Sequence, residues 1–238
     1  MRPAVRDELL RVNRAFYQSL AGSFVSTRRR PQPGVQRVLT RIEPTSAVLD
    51  VGCGHGLAAE LLGRLGHRGI YRGIDASRPL IDLARQRVGA AWAAFAIADL
   101  AQPGWRLAAG DGAFDWVFAF AVLHHLPDAS LRRQVVGELQ DGLAQGGRVA
   151  VSVWDIAGRE RFRRRTVAWE EIGLTSADVE PGDTLLDWRH AGLGHRYVHQ
   201  FTAQELADLA RAAGLTVAEQ FHADGEGGRL GLYQIWRA

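Results

Sequence analysis

Lysine is absent from this sequence of 238 residues, and cysteine occurs once, at Cys53. All 29 basic residues are therefore arginine, against 26 acidic residues, and the formal net charge is +3. A single cysteine can form neither an internal disulfide nor a structural zinc site, which excludes disulfide-rich and zinc-dependent folds. This cysteine usage is what we expect of a reducing, cytoplasmic location.

Long uncharged hydrophobic runs are also missing. Charged residues recur through the first twenty positions, and no stretch approaches the roughly 18 apolar residues of a membrane span. We therefore expect no signal peptide, no membrane anchor and no membrane partner. With 47% hydrophobic and 23% charged residues, the composition is typical of a soluble globular protein with one main domain.

Arginine is concentrated in two regions of the chain. Residues 1–41 contain the run 28–30, and residues 159–165 contain five arginines in seven positions. A solvated surface or a codon bias explains such runs simply, whereas a phosphate or carboxylate partner is the functional explanation. If the partner is a polyanion, we expect the arginines at 163–165 to contact phosphate.

From residue 45 onward, short apolar runs alternate with helical patterns. The apolar runs lie at 47–51, 69–74, 92–98, 114–122 and 147–153, and the helical patterns at 56–65, 78–88 and 130–144. Strands that are apolar on both faces and alternate with helices predict a doubly wound, Rossmann-like α/β sheet. Two further runs, 215–221 and 230–236, predict a C-terminal antiparallel pair, which makes seven strands.

We divide the chain into an N-terminal helical annex, residues 1–44, and an α/β domain, residues 45–238. The annex is predicted from apolar residues at helical spacing, which are Val5, Leu9, Val12, Phe16 and Leu20. An insertion at 155–200 follows the fifth strand, over the strand ends where open α/β sheets bind ligands. A helix within the insertion is predicted from a second stripe, which is Phe162, Thr166, Trp169 and Ile172.

The first buried strand runs into three glycines at alternate positions, Gly52, Gly54 and Gly56. Glycine is required where the backbone turns sharply and must approach a ligand without an intervening Cβ atom. The spacing Gly-x-Gly-x-Gly differs from the Gly-x-Gly-x-x-Gly of dinucleotide-binding folds, which disfavours a nicotinamide dehydrogenase. A structural turn would explain the glycines equally well if they stood alone.

Acidic residues at the strand ends strengthen the prediction of a nucleoside site. Asp50 precedes the glycines, and Asp75 ends the second strand, where a carboxylate can accept hydrogen bonds from both ribose hydroxyls. Asp99 and Leu100 follow the third strand.

By these features, residues 45–238 resemble the class I S-adenosyl-L-methionine-dependent methyltransferases. The resemblance implies that the three glycines lie beneath the methionine part of this cofactor, Asp75 on its ribose, and Asp99 with Leu100 around its adenine. The implied cofactor-binding residues are Asp50, Gly52, Gly54, Gly56, Asp75, Ala76, Asp99, Leu100 and Ala121.

The methyl acceptor decides what else the site must contain. Methylation of a pyrimidine carbon would need a catalytic cysteine, and Cys53 lies in the cofactor loop. Adenine amine methylation usually shows an Asn/Asp-Pro-Pro-aromatic turn, whereas residues 121–127 read Ala-Val-Leu-His-His-Leu-Pro. A carboxylate needs only cations that orient it, and a phenol or enol would use histidine as the base. These last two possibilities stay open.

Nearly the whole chain is also similar to the tRNA methyltransferases that esterify a 5-carboxymethyl group on wobble uridine. This similarity rests on residues 16–31, 121–125, Trp154 and 196–201. It implies that Arg28, His125 and Arg196 lie at the acceptor side and that tRNA is the partner. A small zinc-binding activator subunit is a possible second partner, and no metal ligand is assigned in this chain. Eukaryotic members carry a long basic insertion, which is short here.

Two alternatives to this function remain. One is a small-molecule O-methyltransferase that uses His125 as the base. The other is a non-enzymatic RNA-binding or regulatory protein that retains the same fold.

Overall fold

The computed structural model describes residues 1–19, 30–188 and 194–238 of the chain. The strands in these ranges are β1 (Val48–Val51), β2 (Tyr71–Asp75), β3 (Ala93–Ile97), β4 (Phe114–Phe120), β5 (Leu143–Trp154), β6 (Asp183–Trp188), β7 (Gly194–His199), β8 (Thr216–Ala223) and β9 (Gly231–Arg237). One seven-stranded sheet has the order β3-β2-β1-β4-β5-β9-β8, and β6 pairs with β7 in a separate hairpin.

Helices cover both faces of the large sheet. The α-helices are α1 (Pro3–Ser19), α2 (Pro33–Leu39), α3 (Leu57–Arg64), α4 (Arg78–Arg87), α5 (Ala129–Gln140), α6 (Glu160–Arg163) and α7 (Ala203–Ala212). Short 3₁₀ helices occupy Trp105–Ala109, Leu123–His125, Trp169–Ile172 and Glu226–Gly228. Two apolar clusters form the core, one including residues of α5 and α7 and the other residues of α2, α3 and α4.

The strand directions confirm the predicted architecture. Strands β1 to β5 run parallel, while β9 is antiparallel to both β5 and β8. All four residues of β1 are buried, because the strand lies between β2 and β4 with helices on both sides. The sheet is therefore doubly wound, with seven strands and a C-terminal antiparallel pair, as the sequence predicted.

Helix α1 buries one face, as its apolar spacing predicted. Val5, Leu9, Val12 and Phe16 are all buried, while Leu20 lies outside the described residues. The helix packs against β7 of the insertion as well as against the main core, since Leu9 contacts Tyr197 and Leu10 belongs to the large apolar cluster. The annex and the insertion therefore meet.

The predicted helix at 130–144 is too long. Helix α5 ends at Gln140, and Leu143 already pairs with Phe114 at the start of β4. The sequence Leu-Ala at 143–144 continues the apolar helical pattern, but the backbone there forms sheet hydrogen bonds instead. Tertiary pairing thus overrides a local pattern that a helix and a strand satisfy equally well.

The predicted helix through the stripe at 162–172 is wrong. Helix α6 ends at Arg163, and Thr166 forms an isolated antiparallel bridge with Leu186 of β6. The amide of Val167 donates to the carbonyl of Leu185 at 3.0 Å. The β6–β7 hairpin, which the sequence analysis did not predict, supplies these partners, and the segment is extended because it borders a strand.

The hairpin is joined to α7 through a buried histidine. His199 Nδ1 lies 2.7 Å from Asp183 Oδ1, and its Nε2 lies 2.8 Å from Glu205 Oε1. Thr202 Oγ1 accepts a hydrogen bond from the Glu205 amide at 3.0 Å and so caps α7. The hydrogen bonds of His199 are therefore structural, because they connect the hairpin to this helix.

A search of the described helices finds none that is both long and apolar enough to cross a membrane.

Candidate active site

A cavity of about 610 Å³ opens at the carboxyl ends of the parallel strands. Eight of the nine predicted cofactor-binding residues line it, and so do His125 and Arg196. We call the part around Asp50, Asp75 and Asp99 the cofactor end, and the part around His125 and Arg196 the acceptor end. The cavity runs between the two ends without a break.

Gly56 is the predicted cofactor residue that does not line the cavity. It precedes α3 with a φ of +80°, and a Cβ atom there would lie 3.1 Å from the Cβ atom of Ala84. Its role is therefore to let α3 and α4 pack closely. The glycine spacing predicted that all three glycines contact the cofactor, but the last of them, Gly56, lies where the two helices pack.

The other two glycines shape the cofactor end. The amide of Gly52 donates to the Ile74 carbonyl at 2.8 Å, and a Cβ atom on Gly52 would lie 2.4 Å from Val122 Cγ2. Gly54 has a φ of +55°, and a Cβ atom there would meet nothing within 4 Å. Since Gly54 lines the cavity, its backbone faces space that a ligand can enter, and the loop fits the cofactor that the resemblance implies.

Asp75 is held by backbone donors on both carboxylate oxygens. The Gly54 amide donates to its Oδ2 at 2.9 Å, and the Ser77 amide donates to its Oδ1 at 2.8 Å. Burial raises the pKa of Asp75, while these two bonds act to lower it. Each oxygen retains a further lone pair. The carboxylate can therefore still accept hydrogen bonds from ribose hydroxyls in the part of the cavity that Ala76 lines.

Asp50 lies deeper, beneath the loop. It is 3% exposed and accepts a hydrogen bond from the Tyr71 hydroxyl. Burial raises the pKa of Asp50 to about 7, a shift that the Tyr71 bond opposes and the charge of Asp75 increases. Burial and both aspartates likewise raise the pKa of the Cys53 thiol, which excludes a thiolate nucleophile at neutral pH.

Asp99 has a partner that the sequence analysis missed. Arg14 of α1 forms an ion pair with its Oδ2 at 2.6 Å, and the Ala101 amide donates to its Oδ1 at 3.0 Å. The adjacent Leu100 is buried. The annex therefore reaches the predicted adenine position, and Arg14 carried no sequence signal beyond its place on a mostly apolar helix.

At the acceptor end, His125 is fixed in one tautomer. Its Nδ1 lies 3.1 Å from the Tyr197 carbonyl, and its Nε2 lies 2.8 Å from the Tyr17 hydroxyl. A carbonyl can only accept, so Nδ1 carries the proton and the neutral Nε2 accepts from Tyr17. His124 is buried and packs against Trp154, with ring centroids 5.0 Å apart. Only His125 of the adjacent pair thus lines the cavity.

Asn13 connects the elements that carry this histidine. Its Nδ2 donates to the carbonyls of His125 and Tyr197 at 3.1 and 3.2 Å, and its Oδ1 accepts from the Tyr197 amide at 2.9 Å. The sequence analysis missed Asn13, although a buried asparagine on an apolar helix face is a signal for such a bridge.

Arg196 is a buried cation with unsatisfied donors. It is 4% exposed, and its guanidinium lies over the rings of Trp154, Phe16 and Trp188 at 4.3, 4.8 and 5.4 Å. Its Nε and Nη1 find no hydrogen-bond acceptor anywhere in the described part of the chain. Burial lowers its pKa, which a hydrogen bond with Tyr17 opposes.

An arginine stays protonated even under such a shift, so the site holds a buried positive charge. Leaving two charged donors unpaired costs several kcal/mol, on the order of 1–3 kcal/mol for each group. An anion with two acceptor oxygens would remove this cost. Arg28, the third residue predicted at the acceptor side, lies outside the described residues.

One cluster in the described ranges has the residue types of a metal site, namely Glu180, Asp183 and His199. Both ring nitrogens of His199 are engaged with carboxylates, and Arg132 lies 2.7 Å from Glu180. These groups satisfy one another, so the cluster is explained as a link between the hairpin and α7.

Comparison with known proteins places these features in a family. The methyltransferase domain family matches residues 24–220. The chain is 33% identical over 139 residues to tRNA (carboxymethyluridine(34)-5-O)-methyltransferase ALKBH8 of Macaca fascicularis, which is 58% of this chain and 19% of that protein. It therefore spans about a fifth of the length of this relative.

A yeast relative is matched over more of its length. The chain is 25% identical over 225 residues to the tRNA (carboxymethyluridine(34)-5-O)-methyltransferase of Schizosaccharomyces pombe, covering 85% of this chain and 88% of that one. Among solved structures, a complex of the Trm112 methyltransferase activator with a methyltransferase from Haloferax volcanii shares the fold, with a TM-score of 0.65 and 18% identity. That match covers 94% of this chain and 96% of the other.

The family match extends over most of the chain, and the sheet order, the glycine loop and the acidic strand ends agree with it. The resemblance to the class I methyltransferases is therefore confirmed. The chain belongs to the methyltransferase domain family, whose methyl donor is S-adenosyl-L-methionine.

Proposed function

We propose that this methyltransferase esterifies a carboxylate, and that the acceptor is the 5-carboxymethyl group of wobble uridine in tRNA. The observation that carries the proposal is buried Arg196 at the acceptor end, whose Nε and Nη1 have no acceptor among the described residues. A carboxylate oxygen is a strong acceptor for a charged guanidinium donor. The names of the two tRNA-modifying relatives support the same acceptor.

The bound cofactor supplies an electrophilic methyl group on a sulfonium, and methyl transfer to a carboxylate oxygen leaves S-adenosylhomocysteine. The residues of this chain have to hold that oxygen in line and keep water out. Arg196 would orient the carboxylate, and Trp154 and Trp188 hold the guanidinium in place through ring contacts. Arg28 is proposed to assist at the same end.

The environment of His125 supports an acceptor that needs no base. Its Nε2 lone pair accepts from the Tyr17 hydroxyl, and Tyr17 also interacts with Arg196. A phenol or enol would have to displace Tyr17 before His125 could remove its proton. A carboxylate is already ionised at neutral pH, so His125 can act by positioning Tyr17 and Arg196. The geometry thus favours the carboxylate over the small-molecule alternative that uses His125 as base.

The remaining parts of the proposal follow the resemblance. We propose that an α/β domain occupies residues 45–238. Its insertion, residues 155–200, forms the acceptor side together with the annex, residues 1–44. A cytoplasmic location is proposed together with the tRNA substrate. An activator subunit of the kind seen with the Haloferax volcanii methyltransferase is proposed as a partner, and its addition is one arm of the assay below.

The experiment is methyl transfer from labelled S-adenosyl-L-methionine to tRNA that carries 5-carboxymethyluridine, with and without an added Trm112-type subunit. We expect label that mild base releases, as a methyl ester requires. The matched control is the same tRNA with unmodified uridine, which should take up no label. Base-stable label in a phenolic metabolite, with none in the modified tRNA, would contradict the proposal.

A further inference from the structure

The arginine run at 159–165 separates into two groups in the structure. Arg163 Nε lies 2.6 Å and Arg164 Nε 2.8 Å from the carboxylate of Glu160, and both side chains are 77% exposed. These two arginines share one acidic partner on the outer surface. The expectation that 163–165 contact phosphate as one group is therefore revised.

Arg161 and Arg165 instead line the cavity, on either side of Phe162. Neither forms an ion pair with an acidic residue within the described ranges. The position of Arg165 is set by the hairpin, because the Asp187 amide donates to its carbonyl at 2.7 Å. Its own amide donates to the Phe162 carbonyl at 2.9 Å, so the backbone is held on both sides.

Both cations line the same cavity as the buried cation of the acceptor end, and Arg165 interacts with it electrostatically. The charge of Arg165 acts to lower the pKa of Arg196, which places the two guanidiniums within electrostatic range. Like charges gathered in one cavity repel each other unless a ligand neutralises them. A single carboxylate can accept from an open donor of Arg196 but leaves Arg161 and Arg165 unmatched. A ligand with a second negative group fits the arrangement better.

We propose that Arg161 and Arg165 bind a phosphodiester of the RNA backbone beside the nucleoside that is methylated. This inference rests on the proposed function and deepens it, because it names the contact that separates a polynucleotide acceptor from a free nucleoside. Arg163 and Arg164, although adjacent in sequence, do not take part. Phe162 lies between the two cations, 5.9 Å from Trp154 by ring centroids, and gives the wall an apolar surface.

The test compares R161Q/R165Q with the control R163Q/R164Q, since each removes two positive charges from the same seven residues. Binding of an anticodon stem-loop RNA that contains 5-carboxymethyluridine is measured against salt concentration. We expect R161Q/R165Q to weaken binding by about tenfold or more, and to reduce the logarithmic salt slope by about 0.7–0.9 for each phosphate contact. The control should retain nearly the wild-type slope.

A second measurement distinguishes phosphate binding from damage to the acceptor end. With the free nucleoside 5-carboxymethyluridine as acceptor, R161Q/R165Q should keep wild-type turnover, while with RNA its KM should rise. Equal losses in both double variants, or a wild-type slope in R161Q/R165Q, would overturn the inference and leave the proposed function standing. Loss of nucleoside turnover in R161Q/R165Q would also overturn it, because the arginines would then serve the acceptor end. Wild-type protein that methylates neither acceptor would instead overturn the proposed function.

Discussion

The cofactor end and the acceptor end share one cavity but are built differently. At the cofactor end, Asp75 and Asp99 accept hydrogen bonds from backbone amides of the loops next to them. At the acceptor end, Asn13, Tyr17, His125 and Arg196 come from α1, a 3₁₀ turn and β7, and Asn13 bonds across 184 positions of sequence. The cofactor end relies mainly on backbone donors, together with side-chain partners such as Arg14, whereas the acceptor end is built from side chains that only folding brings together.

The two ends also differ in how they treat charge. The buried carboxylates of the cofactor end receive amide or hydroxyl donors, which compensate part of the cost of burial. The buried guanidinium of the acceptor end keeps two donors without acceptors in the part of the chain that is described. The unsatisfied donors of Arg196 therefore distinguish the acceptor end from the cofactor end.

Arg196→Met should produce the largest effect and sharpen this contrast. Methionine fills a similar volume without a charge, so relief of the two unsatisfied donors should leave the melting temperature unchanged or higher. Loss of a charge-assisted hydrogen bond worth about 1.5–3 kcal/mol should lower turnover of a carboxylate acceptor by up to about 100-fold. The measurements are thermal unfolding and kcat on modified RNA.

The control for this variant is cofactor affinity, which calorimetric titration should find unchanged. A variant that loses stability together with turnover would show that Arg196 is a structural cation and would remove the contrast between the ends.

Asp75→Ala should have the second-largest effect, and at the opposite end. If Asp75 accepts hydrogen bonds from the ribose as we predict, the variant loses these charge-assisted bonds, so we expect the Kd for S-adenosyl-L-methionine to rise at least tenfold. Calorimetric titration measures this directly. Asp75→Asn provides the matched control for shape, and an unchanged Kd in both variants would remove Asp75 from the cofactor end.

A smaller effect, on stability, is expected from His199→Gln. Burial lowers the pKa of His199, but its hydrogen bonds to Asp183 and Glu205 outweigh burial and raise it. The protonated histidine therefore stabilises the fold fully below about pH 6.5, and this contribution declines as pH rises through the raised pKa. The substitution should cost on the order of 1 kcal/mol at pH 6 and progressively less at higher pH.

Urea unfolding of both proteins between pH 5.5 and 9 checks this expectation. A difference between them that grows with pH would mean that His199 is neutral in the folded state.

The smallest effect concerns the pH dependence of turnover. At saturating cofactor, kcat for a carboxylate acceptor should change less than about threefold between pH 6 and 9, because the acceptor stays ionised throughout. Saturation is needed because Asp50, with a pKa of about 7, can make cofactor affinity depend on pH. A wild-type rate that rises tenfold per pH unit below pH 6.5, without such a rise in a variant that lacks His125, would instead support a hydroxyl acceptor with His125 as the base.

Much of the fold could be predicted because the signals are local. The strand at Val48–Val51, the glycines after it and Asp75 at the next strand end all follow from short patterns. The predictions failed where a pattern suits two conformations. Residues 143–144 continue a helix by periodicity, and Thr166 belongs to a helical stripe, yet each forms sheet contacts with a distant segment.

The candidate site divides in the same way. Eight of the nine predicted cofactor residues line the cavity because backbone turns and acidic strand ends depend on consecutive residues, whereas Gly56 lies where α3 and α4 pack. His125 and Arg196 were predicted only through resemblance, and Tyr17, Asn13 and Arg14 were not assigned roles. Their partners lie far along the chain, so no local pattern distinguishes them from ordinary helix residues.

By itself, the sequence determined the sheet, the cofactor loop and the acids around it, because hydrophobic alternation and glycine conformation act over a few residues. Only the tertiary structure decided which cations face the cavity. Arg163 and Arg165 are two positions apart, yet the first pairs with Glu160 of its own helix while the second lines the cavity. The physical reason is that the pairing with Glu160 is a local contact along α6, whereas the backbone of Arg165 is held by the β6–β7 hairpin, which comes into place only when the chain has folded.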